Sequence, residues 1–124
     1  MSHPNDVVWY LKIEQERTNG VSVLTVAGRV SHRTAPDLTA ALATPTAASG
    51  GVVLDLSGVD YISSPGLRAV EIAGVRLSAG GRRLVVCGLR DAVSVAFDLA
   101  GLSTTVAIEE SRERAIERAT HQAG

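Results

Sequence analysis

The chain has 124 residues, of which 45% are hydrophobic and 20% are charged, and its formal net charge at pH 7 is −1. This composition indicates a folded chain, and the near-neutral charge excludes a bulk attraction to nucleic acid or to anionic lipid. No signal-peptide pattern stands at the start, and no apolar run approaches the ~20 residues of a membrane span, so we expect a cytoplasmic protein with no membrane contact. We also expect a single domain over residues 1–124.

The chain begins with a predicted β-hairpin. Residues 7–16 alternate well enough for an edge or half-buried strand, and residues 21–27 carry apolar side chains on both faces. Asn19-Gly20 between them is a strong signal for a two-residue hairpin turn. Residues 28–31 are predicted to form a loop.

A helix and a central strand are predicted next. The helix is expected to begin near Thr34 and Ala35 and to end at Pro45. Residues 52–54 are apolar and continue through Asp55 to Leu56, a pattern that is typical of a buried strand. Residues 57–65 are then predicted to form a loop.

The second half of the chain alternates between helices and strands. Helices are predicted over residues 65–78, 91–100 and 112–119, the last of them capped by Ser111, and strands over residues 82–87 and 104–108. In the helix of residues 91–100, we expect Val95, Phe97 and Leu99 in or near the buried face. Cys87 is the single cysteine, so it cannot form an internal disulfide, and we expect it to be a buried small hydrophobic residue.

The alternation of strands and helices after the hairpin predicts an α/β fold with right-handed crossovers. About five strands are expected to form a mostly parallel sheet, with about four helices mainly on one face. The working loops of such a sheet lie at the carboxyl ends of its strands. Two predicted loops qualify here, residues 28–33 and residues 57–65.

Ser64 stands directly before a proline at the start of a predicted helix. A serine in this position is typical of an N-cap, with the proline at the first helical position. The unpaired amides and the dipole at a helix start favour a phosphate or an acidic partner. The alternative is that Ser64 only caps the helix.

The segment DLSGVDYISSPGL, residues 55–67, resembles the signature D-L-S-x-V-x-F-I-D-S-S-G-L of the STAS domain family. The resemblance covers nearly the whole chain, from about Val7 to about Ala119. It implies a STAS-like sandwich. It also implies a non-enzymatic bacterial regulator of transcription, an anti-sigma factor antagonist.

In that family, the two loops and the following helix bind an anti-sigma factor that is also a serine kinase, in a partner-switching pathway. Phosphorylation of a serine or threonine directly before the motif glycine breaks the complex, and a serine phosphatase is a further implied partner. No cofactor is implied, and the chain is expected to be a monomer or a weak dimer through its first strand. The resemblance places these residues at the partner surface: Arg29, Ser31, His32, Ser57, Asp60, Ser63, Ser64, Pro65 and Arg68.

Three positions depart from the family pattern. Pro65, which has no hydroxyl group, stands at the position of the phosphoacceptor, while Ser63 and Ser31 stand where the family has acids. Two alternatives follow. Either the acceptor has moved one residue back to Ser64, with Ser63 as the second candidate, or the domain lacks the switch and binds its partner, or another molecule, constitutively.

Two other functions are weighed against this one. A STAS module could bind a small ligand or a nucleotide at the same loop edge, without a phosphorylation switch. A hydrolase would use Ser64 with His32, the one histidine placed to reach it, but no third residue orients that pair. A single cysteine and scattered histidines give no metal-ligand spacing, and the known glycine-rich nucleotide loops are absent.

Overall fold

A computed structural model describes residues 11–43 and 50–120 of the chain. The start of the predicted first strand and the predicted helix end at Pro45 lie outside these residues. The strands are β1 (Leu11–Thr18), β2 (Val21–Val30), β3 (Val52–Ile62), β4 (Leu84–Cys87) and β5 (Ala107–Glu109). The helices are α1 (Ala35–Ala43), α2 (Ser64–Ala79), α3 (Asp91–Leu99) and α4 (Arg112–Thr120).

The five strands form one sheet in the order β1-β2-β3-β4-β5. β1 pairs with β2 in the antiparallel direction, and the other neighbours are parallel. The hairpin turn lies where the sequence predicts it, because Asn19 and Gly20 both have positive φ angles, 53° and 78°. Asparagine and glycine tolerate this left-handed backbone, which matches the twist of the flanking strands. The predicted mostly parallel α/β sheet is therefore confirmed.

The helices cover the sheet unequally. α1, α2 and α3 pack on one face, where they bury side chains such as Leu38, Val70 and Phe97 against the strands. Of the described helices, α4 alone packs on the other face, with Ala115 and Ala119 against the valines of a second, smaller cluster. This confirms the prediction that the helices lie mainly on one face.

The buried face of α3 differs from the predicted one. Val93 and Phe97 are fully buried, while Val95 is 56% exposed and Leu99 is 84% exposed. Residues four apart share one helix face, whereas residues two apart point in very different directions. The prediction that Val95 and Leu99 lie in or near the core was therefore wrong, and only Phe97 of the three is a core residue.

The last strand is shorter and later than predicted. Residues Leu102–Thr104 form a turn of 3₁₀ helix, closed by hydrogen bonds from Thr105 N and Val106 N to Leu102 O. The Leu102 side chain is buried by this turn, so the backbone enters β5 only at Ala107. The expected strand over residues 104–108 is corrected accordingly.

One guanidinium ties α4 to the sheet. Arg112 Nη1 lies 3.0 Å from Asp55 Oδ2, and its Nη2 lies 2.6 Å from Glu16 Oε1. Asp55 is buried in β3, and its other oxygen accepts a hydrogen bond from Ser57 N at 2.9 Å. A buried carboxylate is costly unless it is paired, so Arg112 satisfies Asp55 while bridging to the edge strand.

Among the described residues, no helix is both long and apolar enough to cross a bilayer.

Cys87 is buried at the end of β4, as predicted. Burial, reinforced by the nearby Asp55 carboxylate, raises the pKa of its thiol from 9.0 to about 12. Because the thiolate is the reactive species, we expect alkylation by iodoacetamide at pH 8 to be at least ~100-fold slower in the native chain than in urea. The raised pKa also predicts that stability falls as the pH rises above 9, where only the unfolded chain ionises this thiol. Equal alkylation rates with and without urea would contradict the buried placement.

Candidate functional site

The first part of each of the two predicted loops is strand. β2 continues through residues 28–30 and β3 through residues 57–62, and the two stay paired from Ala27 and Gly58 to Val30 and Ile62. Two bulges shift the register, so the burial pattern loses its strict alternation: Val59 and Ile62 are buried, and the residues between them are exposed. The loop predictions fail because these bulges conceal the strand period in the sequence. The loops at this sheet edge are therefore shorter, and we call this edge the rim, residues 29–34 and 60–66.

The first rim segment is a turn closed by two hydroxyl side chains. Thr34 Oγ1 donates to Arg29 O at 2.7 Å and accepts from Ser31 N at 2.8 Å, while Ser31 Oγ accepts from Thr34 N at 3.3 Å. Thr34 is completely buried and Ser31 is half-buried, so both side chains act on the backbone of the turn. Thr34 was not among the predicted site residues, although serine and threonine three residues apart are a recognisable signal for such a turn. The turn presents His32 at its exposed tip.

The second rim segment starts α2, and its cap lies one residue earlier than predicted. Ser63 is the N-cap: its backbone is extended, its Oγ accepts from Gly66 N at 3.4 Å, and its N donates to Val30 O at 2.7 Å. Ser63 is thereby tied into the β2–β3 pair and is only 2% exposed. Ser64 is the first helical residue, with Pro65 second, and both are exposed. The prediction of Ser64 as the cap was wrong because the sheet contact at Ser63, which sequence does not reveal, decides where the helix begins.

The cap assignment predicts different effects for the two neighbouring serines. Ser63→Ala removes the oxygen that accepts from Gly66 N, and we expect it to cost about 1 kcal/mol of unfolding free energy. Ser64→Ala removes an exposed hydroxyl and is expected to stay within ~0.5 kcal/mol of wild type. Urea unfolding of the three proteins measures both values. A larger loss for Ser64→Ala than for Ser63→Ala would restore the original cap assignment.

Gly66 allows α2 to approach the rim strands closely. A Cβ atom at this position would lie 2.5 Å from Val30 Cγ1 and 2.8 Å from Ile62 Cγ1, both on buried side chains. We expect Gly66→Ala to destabilise the fold by about 1–3 kcal/mol through overpacking. Gly80→Ala is the matched control, because its added Cβ would meet only backbone oxygens at ordinary distances, Leu77 O at 3.6 Å and Arg76 O at 4.0 Å. Thermal unfolding of both variants tests the contrast, and equal midpoints would contradict the close approach.

An arginine and an aromatic ring stack on the outer surface of the rim. The guanidinium carbon of Arg29 lies 4.6 Å from the centre of the Tyr61 ring, which is a cation–π arrangement. Tyr61 is 41% exposed and lies beside the exposed Asp60. Tyr61 was not among the predicted site residues. Exposed aromatic and arginine side chains are the types that contribute most at protein interfaces.

A shallow apolar groove between α1 and α2 begins next to Ser64. Its volume is about 190 Å³, and Pro65, Arg68 and Ile72 of α2 line it together with Thr39 of α1. Ile72 is 50% exposed. The rim and the groove thus form one continuous candidate surface that joins polar groups, a cation–π pair and an exposed apolar side chain.

The predicted surface residues are not all brought together. Arg29, Ser31, His32, Asp60, Ser63, Ser64 and Pro65 lie on the rim, and Arg68 lies in the adjoining groove. Ser57 does not: its carbonyl accepts from Arg90 Nε at 3.0 Å near the end of β4, and the rest of β3 separates it from α2. Its grouping with the rim residues depended on a loop over residues 57–65, and that loop is replaced by strand.

The hydrolase and metal-site alternatives find no supporting side-chain arrangement among the described residues of the rim. Within the described residues, no hydrogen bond joins His32 to Ser64, and no group of three histidine, cysteine or acidic side chains is placed to hold a metal ion. His3 and His121 lie outside the described residues. The arrangement offers a contact surface with one exposed serine at a helix start.

Comparison with known proteins gives concordant matches. Residues 12–115 match the family model described as the STAS domain. The protein BtrV of Bordetella bronchiseptica, named as an anti-sigma factor antagonist, is 33% identical over 106 residues, covering 85% of this chain and 91% of its own. The family-model match spans most of the hairpin, the rim and the first part of α4.

Solved structures are similar over most of their length. An anti-sigma factor antagonist from Mycobacterium paratuberculosis superposes with a TM-score of 0.82 at 25% identity, covering 98% of this chain and 100% of that one. SpoIIAA of Bacillus in its phosphorylated form superposes with a TM-score of 0.66 at 19% identity, covering 86% and 98%. At 19% identity, the similarity to SpoIIAA shows a shared fold alone.

Proposed function

The chain belongs to the STAS domain family and is similar to anti-sigma factor antagonists, and on that premise we propose that it binds an anti-sigma factor in a partner-switching pathway. In this proposal the chain is a single cytoplasmic domain, acts without catalysis of its own, and uses the rim and the adjoining groove as its contact surface. The observation that carries the proposal is the position of Ser64, exposed at the first residue of α2 inside the family motif.

The composition of the surface supports a protein partner. Tyr61 and Ile72 supply exposed apolar area. Arg29 on the rim and Arg68 in the groove supply positive charge. Apolar contacts contribute affinity, whereas charges at an interface mainly set the association rate and the choice of partner. An anti-sigma factor with an acidic contact surface would be complementary to these two arginines.

The proposed switch is phosphorylation of Ser64 by the anti-sigma factor, acting as a serine kinase. Ser64 is favoured over Ser63 because Ser63 is buried and its hydroxyl already accepts from Gly66 N, while Pro65 has no hydroxyl. A phosphate adds a charge of about −1.5 to −2 and suits the positive end of the helix dipole, so the domain need not unfold. It would disturb an interface packed against the serine, and a phosphatase would reverse it.

The experiment combines capture with phosphorylation. The tagged chain is incubated with lysate of its source organism, with and without ATP, and the bound anti-sigma factor is identified by mass spectrometry and then purified. Intact mass of the chain after incubation with that protein and ATP measures phosphate transfer. We expect one added phosphate on wild type and on Ser78→Ala, a control serine at the far end of α2, and none on Ser64→Ala.

Distinct results would contradict each part of the proposal. Failure to capture any anti-sigma factor would contradict the binding function. Capture without phosphate transfer would favour the alternative of constitutive binding, in keeping with Pro65 at the family's acceptor position. A phosphate that persists on the double variant Ser63→Ala, Ser64→Ala would place the acceptor elsewhere.

A further inference from the structure

We propose that a cavity at the end of the sheet opposite the rim binds a phosphorylated small molecule. The cavity has a volume of about 490 Å³ and opens where β4 and β5 begin, beside the last turns of α2. This volume falls within the range of roughly 300–1,000 Å³ that is common for small-molecule sites. The proposed regulatory function uses the other end of the sheet, so this site goes beyond it.

Three arginines line the cavity. Arg82 and Arg83 precede β4, and Arg118 reaches it from α4; among the described residues, the lining includes no acid. A guanidinium group donates parallel hydrogen bonds that match the oxygens of a phosphate. Arginine side chains grouped around one cavity favour an anion there, although Glu109 offsets the charge of Arg118.

Two of the three guanidinium groups are held in place by other contacts. Arg82 Nε donates to Gly50 O at 2.8 Å, and Arg118 Nη1 lies 2.7 Å from Glu109 Oε2. Such contacts restrict the side chains before a ligand arrives, which lowers the entropic cost of binding. The guanidinium of Arg118 has further N–H donors beyond the one used in its ion pair.

Arg83 lacks such a contact. It is half-buried, and its guanidinium forms no ion pair or side-chain hydrogen bond with a described residue. A charged group that loses part of its hydration without a partner is unfavourable, and an anion in the cavity would compensate it. Arg83 is therefore the main ligand contact that we infer.

The remaining lining indicates a polar ligand. Four hydroxyl-bearing residues line the cavity together with a small apolar part from Leu84 and Ile108; they are Ser78, Ser103, Thr104 and Thr105. Hydroxyl groups add neutral hydrogen bonds to phosphate oxygens, whereas the limited apolar surface would contribute little affinity for an apolar ligand. A phosphate or diphosphate group on a small polar body fits this chemistry.

Calorimetric titration of the full chain with inorganic pyrophosphate, in chloride buffer of matched ionic strength, tests the site. We expect saturable one-to-one binding that Arg83→Gln weakens at least tenfold. Arg17→Gln removes the same charge on β1, the edge strand farthest from β5, and this variant is expected to bind pyrophosphate as wild type does. Arg118→Gln serves as a second cavity variant if Arg83→Gln does not fold, which its thermal unfolding curve reveals.

Three outcomes would overturn the proposal. They are no binding of pyrophosphate to wild type, unchanged binding in a folded Arg83→Gln variant, or equal weakening by Arg83→Gln and Arg17→Gln, which would indicate attraction to charge alone. Arg83→Lys is expected to bind more tightly than Arg83→Gln but more weakly than wild type, because it keeps the charge and loses the paired donors. No anti-sigma factor takes part in these measurements, so their result is independent of the regulatory proposal.

Discussion

Replacing Phe97 with alanine is expected to lower the free energy of unfolding by about 3–5 kcal/mol. Phe97 is completely buried and, among the residues that the structure describes, has the largest of the fully buried side chains; it lies on the helix that covers β3. Truncation removes its transfer free energy and leaves a cavity between α3 and the sheet, which surrounding side chains refill only in part. Urea denaturation followed by circular dichroism measures the loss as a shift in midpoint at constant slope.

Leu99→Ala is the matched control for this prediction. Leu99 lies on the same helix but is 84% exposed, so its truncation is expected to stay within ~0.5 kcal/mol of wild type. Comparable losses for Leu99→Ala and Phe97→Ala would mean that the face assigned to α3 is wrong.

Ser64→Asp is expected to weaken binding to the proposed partner, an anti-sigma factor, about 100-fold. The substitution places a carboxylate at the centre of the proposed contact surface, where an acidic partner would face a like charge at a cost of several kcal/mol. Each 1.4 kcal/mol corresponds to a factor of ten in affinity. Titration of the purified anti-sigma factor with each variant measures the change.

Two controls separate lost affinity from lost structure. An acid in the first turn of a helix favours the helix dipole, so the thermal midpoint of Ser64→Asp should equal or slightly exceed that of wild type. Ser78→Asp carries the same charge at the other end of α2 and should bind the partner normally. If Ser64→Asp binds the partner as tightly as wild type does, Ser64 does not lie in the interface, whether or not it is phosphorylated.

The order of elements follows from patterns that act within a few residues. Asn19-Gly20 fixes the hairpin because its positive φ angles are a local property, and the apolar run of residues 52–56 marks a strand that is buried on both faces. Cys87 was assigned to the core from its apolar neighbours, and it is buried. Such signals need no knowledge of the rest of the chain.

Details that depend on distant contacts were not accessible in the same way. Ser63 and Ser64 are equivalent as local cap signals, and the choice between them rests on a hydrogen bond to Val30, a residue far away in the chain. The extensions of β2 and β3 depend on bulged pairing that breaks the alternation of each strand alone. For α3, the sequence could have shown that Val95 and Phe97 do not share a face, because they are only two residues apart. The pairs Val93–Phe97 and Val95–Leu99 both have helical spacing, and only packing against the sheet selects the first.

The candidate site also combines features that the sequence indicates with features that only the structure reveals. The family motif of residues 55–67 is enough to indicate the second rim segment and Ser64. Tyr61 under Arg29, and the arginine cavity at the opposite end, require coordinates because their members come from separate elements. Ser57 belongs to the motif but lies away from the rim, so proximity in the motif overstated proximity in space.

The single helix on the second face has a practical consequence for anyone who shortens or fuses this chain. α4 is the only described helix over Val21, Val23, Val53 and Val85, and Arg112 fastens it to two different strands. A fragment that stops before Ser111 would leave these valines in contact with water and the Asp55 carboxylate without its cation. Such a fragment is expected to aggregate during expression, so tags and truncations at this end need to spare the helix.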